Sequence, residues 1–161
     1  MQLSASITRA VAAAAFLILV ASACDATSDS TTLSSFRSNG VEYDFVSVAN
    51  NQGPDAPCIG VVGHFESHVT ATTACPTDDA ATDTYGAVIE VDRAVFVVGY
   101  GLDKGETIDV PDATRVLVTE PVDDLRFFLL ELWANPPTGT FEVVVARPDG
   151  GTRTIPAYAS D

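Results

Sequence analysis

From Gly40 onward, apolar and polar residues alternate in short β-branched and aromatic runs, and Gly, Pro and Asp break these runs at fairly regular intervals. That period of two is the pattern of half-buried strands. It predicts strands over 41–49, 59–69, 87–91, 94–100, 107–110, 115–119, 125–133, 141–146 and 152–157. Asn50-Asn51-Gln52-Gly53-Pro54-Asp55 reads as a loop by each local signal. Pro148-Asp149-Gly150-Gly151, set between two alternating runs, predicts a hairpin whose glycines take the positive φ that tight turns require. No segment after Gly40 presents a helical face of useful length.

The stretch 125–133 is apolar on both faces, with Phe127 and Leu129 on one and Phe128, Leu130 and Leu132 on the other. A strand of that kind is central and covered, or lies at a partner interface. Many short strands with turn signals between them point to two packed antiparallel sheets. The expected fold is an all-β, immunoglobulin-like sandwich, with a small barrel as the alternative.

The amino-terminal segment follows a different rule. Residues 10–20 are apolar without a charge, Arg9 precedes them, and Ala21-Ser22-Ala23 is uniformly small, which is the layout of a cleaved secretory signal over 1–23. Eleven residues of helix cover roughly 17 Å of a hydrocarbon core about 30 Å thick, too little for a permanent span. The residue after the small cluster is Cys24, and Leu19-Val20-Ala21-Ser22-Ala23-Cys24 resembles the lipobox of bacterial lipoproteins, although Ala21 stands where that family most often has leucine. The resemblance implies a diacylated Cys24 as the mature amino terminus and hence a membrane anchor on the extracytoplasmic face. The competing reading is a secreted chain with a free thiol at Cys24. Residues 24–36 are rich in Ser and Thr and poor in apolar side chains, so they read as a flexible tether, followed by a single domain over 37–161.

Charge narrows the partners. The chain carries 22 Asp and Glu against eight Lys and Arg, a formal charge of −14. Nucleic acids and anionic headgroups are repelled by such a surface. The single lysine among these eight cations is Lys104, a bias suggestive of a high-GC genome. The phrases Val97-Val98-Gly99-Tyr100-Gly101, Thr114-Arg115-Val116-Leu117-Val118 and 141–150 resemble strand segments of uncharacterised actinobacterial envelope proteins, a resemblance that implies a sandwich and no activity.

With Cys24 acylated, Cys58 and Cys75 are left to pair as a disulfide in an oxidising compartment. Catalytic motifs are missing from the mature part, and a non-enzymatic role is expected. No cofactor is implied, apart from one candidate metal set. If 59–69 is one strand, His64, Glu66 and His68 share a face and offer two imidazoles and a carboxylate to Zn²⁺ or Cu²⁺. The acidic run 78–83 offers oxygens to Ca²⁺ but lacks the EF-hand spacing. Tyr100, Trp133 and Tyr158 are candidate contact aromatics. The leading expectation is a membrane-anchored interaction module that contacts another envelope protein through loops or an exposed strand edge; the alternative is a metal-binding lipoprotein.

Overall fold

The computed structural model describes residues 30–51, 55–77, 83–133 and 139–159. Within them the strands follow in the order β1 (Ser30–Ser38), β2 (Val41–Val48), β3 (Cys58–His64), β4 (Val69–Ala74), β5 (Tyr85–Val91), β6 (Ala94–Tyr100), β7 (Thr107–Ile108), β8 (Ala113–Val118), β9 (Phe127–Leu132), β10 (Thr140–Ala146) and β11 (Thr152–Ala159), and no helix occurs among the described residues. The smaller sheet is a meander, β1-β2-β3-β4. The larger sheet has the order β7-β10-β11-β5-β6-β9-β8 and curls until it is nearly closed, so features of both a sandwich and a small barrel are present.

Three layers result. Phe36, Tyr43, Phe45, Ile59 and Val61 of the meander face Ile89, Phe96, Val98, Tyr100, Phe127 and Leu129 of the larger sheet. On the opposite side of β5, β6 and β9, the side chains of Val88, Val97, Phe128 and Leu130 pack against Val143, Val145, Ile155 and Ala157 of the curled-over β10 and β11. This arrangement explains why 125–133 is apolar on both faces: β9 lies between β6 and β8 and has a core on either side. Each Phe or Leu so buried contributes about 1.5–3 kcal/mol through the hydrophobic effect. The β10–β11 hairpin also forms as expected, with Gly150 at φ 86° and Arg147 N–H donating to Gly151 O at 2.8 Å.

Two expectations change. Residues 30–36, taken from the sequence as tether, belong to β1 and pair along β2. Asn39 and Gly40 take φ of 48° and 83° and form the two-residue turn between them, a geometry Asn-Gly adopts readily. Once the backbone is satisfied by β2, Phe36 stacks on Tyr43 with ring centroids 5.5 Å apart, and the folded unit therefore includes residues ahead of Arg37. The expected strand over 59–69 is instead a hairpin. β3 stops at His64, Phe65 N–H donates to His68 O at 2.9 Å, and β4 returns from Val69. Residues 1–29, including the signal and Cys24, lie outside the described residues.

Cys58 and Cys75 form a disulfide with Cα atoms 4.2 Å apart, across the open ends of β3 and β4.

Candidate functional site

The loop leaving β6 begins at Gly101, where φ is 99° and a Cβ would run into the Asp83 carbonyl and Thr84. Only glycine takes that conformation at no cost. Leu102 then inserts into the second core, and the loop closes on itself: Glu106 N–H donates to Asp103 O at 3.1 Å while Asp103 N–H donates to a Glu106 carboxylate oxygen at 2.9 Å. That places the Glu106 carboxylate against the base of the β10–β11 hairpin. Arg153 grips it with both prongs, Nε to Oε1 at 2.9 Å and Nη2 to Oε2 at 2.6 Å, and also donates from Nη2 to Gly101 O at 2.5 Å. Arg147 Nε lies 3.6 Å from Oε1.

Glu106 is 4 % exposed. Burial alone raises a carboxyl's pKa, but here the hydrogen bonds from Arg153, with that from Asp103 N–H and the charges of Arg153 and Arg147, hold it down at about 2. The same pairing moves the Arg153 guanidinium above its ordinary range. The group is therefore a fixed anion clamped between a loop and a hairpin.

Beside it opens a cleft of about 340 Å³, lined among others by Asp83, Asp103, Asp124, Arg126, Arg147 and Arg153. Arg126 Nη1 donates to Asp103 O at 2.7 Å. Asp123 and Asp124 take φ of 48° and 66° at the centre of a two-residue turn, with reciprocal hydrogen bonds of 2.8 and 3.0 Å between Val122 and Leu125. Aspartate tolerates this left-handed region better than most residues. The turn carries Asp124 to the rim of the cleft. Three of the eight basic side chains in this acidic protein thus meet at one place.

Comparison with family models, with curated proteins and with solved structures finds no match. Any functional reading of this chain therefore rests on its own residues.

The proposed metal set does not assemble on one strand face. His64 ends β3 and its Nε2 donates to Asp44 Oδ2 at 2.7 Å; Asp44 also accepts from Ser35 Oγ at 2.6 Å, and these two bonds hold its pKa low. Glu66 lies in the turn. His68 stacks on Phe65 at 4.7 Å and its Nδ1 lies 3.2 Å from Ser67 Oγ. The turn breaks the i, i+2, i+4 alignment on which the reading depended. Among the described residues no group of three or more His, Cys, Asp or Glu is placed to hold a metal. Of the acidic run, 78–82 lie outside the described residues, and Asp83 lines the cleft. Of the aromatics, Tyr100 is core, whereas Trp133 is 85 % exposed and Tyr158 is also exposed.

A second surface lies at β8, which among the described residues pairs with β9 only. The ladder holds Thr119 N–H on Phe127 O at 2.9 Å, so by the alternation of antiparallel pairs Leu117 and Arg115 also bond towards β9. The backbone groups of Val116 and Val118 then point away from the sheet. Their side chains are 42 % and 37 % exposed. Natural edges are usually guarded by a charge, a proline or a bulge. β8 has a register shift at its start, between Ala113 and Arg115, but its one charged side chain turns inward. Arg115 lies over the Phe36 ring at 5.1 Å and pairs with Glu131 at 3.3 Å, where Ser38 also bonds. It fastens the two sheets together and leaves the edge apolar.

Proposed function

We propose that the chain is a lipid-anchored, extracytoplasmic, non-catalytic interaction module that binds another envelope protein by strand addition at β8. The anchor rests on Cys24 and the segment before it; the mode of binding rests on one observation, the apolar edge that Val116 and Val118 leave open beside β9. In strand addition, main-chain hydrogen bonds provide affinity and alternate side chains provide selectivity. The partner strand would set apolar residues beside Val116 and Val118. Lys or Arg on its flanks would complement a chain of formal charge −14.

Crosslinking on intact cells, followed by recovery of the full chain, tests both parts. A partner should be captured by the native chain and lost with Val116→Lys/Val118→Lys, while stability changes by no more than about 0.5 kcal/mol per exposed site. Capture that is unaffected by the two lysines would remove the β8 edge from the reading. Independently, Cys24→Ala should release the protein from the membrane fraction, since two acyl chains make a stable anchor and none remain. A Cys24→Ala chain that stays membrane-bound would end the lipoprotein reading.

A further inference from the structure

The cleft beside Glu106 holds charges of both signs; the Asp103 charge acts on Arg153, but among the described residues Asp83 and Asp124 form no ion pair. Its ion pairs are those of Glu106 with Arg153 and Arg147. Among the described residues, the carboxylates of Asp83, Asp103 and Asp124 make no ion pair with Arg126 or Arg147, although all five line the same cavity. Among the described residues, Arg153 is consumed by Glu106 and Gly101 O, and Arg126 commits only Nη1, to a backbone carbonyl. Arg147 commits only Nε, at 3.6 Å, and its side chain is 47 % exposed. Donors on Arg126 and Arg147 and acceptors on Asp83 and Asp124 therefore remain for something else.

The ligand class follows from that separation. A simple anion that reaches the arginines also meets three carboxylates, within a protein whose overall field repels it. A simple cation drawn in by that field meets three guanidiniums. A small molecule carrying a carboxylate at one end and an ammonium at the other satisfies both sets and has no net charge to oppose. We propose that the cleft binds such a zwitterion, an α-amino acid or a short peptide with both ends free, with its carboxylate on Arg126 and Arg147 and its ammonium on Asp83 and Asp124.

Several features suit that task. At about 340 Å³ the cavity is at the small end of the range for ligand pockets, about 300–1,000 Å³. Planar guanidiniums match carboxylate geometry in two-pronged fashion. The support behind them is fixed beforehand: Glu106 is clamped by Arg153 and by Asp103 N–H, and the Asp124 turn is held by two backbone hydrogen bonds. A site positioned by such a shell loses less ordering entropy when it binds. The proposal is independent of strand addition at β8.

The experiment is a calorimetric and NMR titration of the full chain in detergent with L-alanine, dialanine, N-acetyl-L-alanine and L-alanine amide. The expected result is saturable binding of alanine or dialanine with Kd of about 1 mM or tighter. N-acetyl-L-alanine, which lacks the ammonium, and the amide, which lacks the carboxylate, should each bind at least about tenfold more weakly than alanine, the loss of one charge-assisted contact. The stronger of alanine and dialanine tells whether a free amino acid or a peptide is the source. Arg147→Ala and Asp124→Asn should each weaken binding about tenfold with the NMR spectrum otherwise preserved, whereas Val116→Lys should leave it unchanged. No saturable binding of either zwitterion overturns the proposal, as does equal binding of the blocked compounds or indifference to both cleft substitutions.

Discussion

Glu106→Gln is expected to lower the stability of the domain by about 3 kcal/mol at neutral pH and to flatten its response to acid. The side chain is 2 % exposed and grips Arg153 at 2.6 Å, so solvent screening removes little of the interaction. Glutamine keeps the shape but leaves the Arg153 charge, itself only 20 % exposed, without its counter-ion, and breaking one side of a buried pair is costly. The sign of the pH effect follows from the position of the folded pKa. At about 2 it lies below the ordinary 4.5, so the unfolded chain takes up the proton first. The stabilisation is complete above about pH 5 and is lost as pH falls towards 2, each tenfold difference in proton affinity between the two states being worth about 1.4 kcal/mol. Urea denaturation at a series of pH values should show native and variant curves far apart at pH 7 and converging near pH 2. Curves that run parallel down to pH 2 would refute the clamp.

Cys58→Ala/Cys75→Ala is expected to cost about 3 kcal/mol. The bridge closes a loop of 17 residues, and in the chain-entropy account a loop of that size restricts the unfolded ensemble by about that amount. For a domain of this size the fall in Tm is on the order of 10 °C. A reducing agent should lower the Tm of the native chain by a similar margin and leave the double variant unaffected. The effect is local in origin, since the bridge ties β3 to the end of β4, where Ala74 packs into the core and the Tyr85 hydroxyl donates to Cys75 O at 3.1 Å. A loss below about 1 kcal/mol would mean that the unfolded chain already holds these residues together.

The periodic part of the chain was legible. Alternation placed β2, β5, β6, β8, β9, β10 and β11 to within a few residues, and the doubly apolar Phe127–Leu132 run marked a strand with a core on each face, as β5 and β6 also have. Composition misled where the pattern was weak. Ser30–Ser38 has the makeup of a linker, yet β-branched threonines, Leu33 and Phe36 suffice once Asn39-Gly40 turns the chain back on β2. The turn at Phe65–His68 has neither Gly nor Pro to signal it, so by alternation β3 and β4 read as one strand with both histidines on one face. The cleft was invisible for a different reason. Glu106 and Arg153 are 47 positions apart, and only the curling of β10 and β11 over β6 brings them together; no local rule connects them. The β8 edge sits between, since the alternation of Val116 and Val118 was readable but not the absence of a neighbour beyond them.

The two sheets also differ in when they can exist. The meander pairs only strands that follow one another, so it can form as soon as the chain through Ala74 is available to fold. The larger sheet has to wait: β5 takes β11 as its neighbour through Tyr158↔Ala87 and Ala159↔Val88, contacts between residues some 70 positions apart. Until the last strand arrives, β5 and the hydrophobic face of β6 and β9 have no cover from β10 and β11. Long-range pairings of this kind form slowly and leave apolar surface open to other chains. Wherever the chain folds, the exposed interval therefore runs from the emergence of Val91 to that of Ala159, and its length is set by the rate at which the chain is delivered and not by the stability of the finished fold.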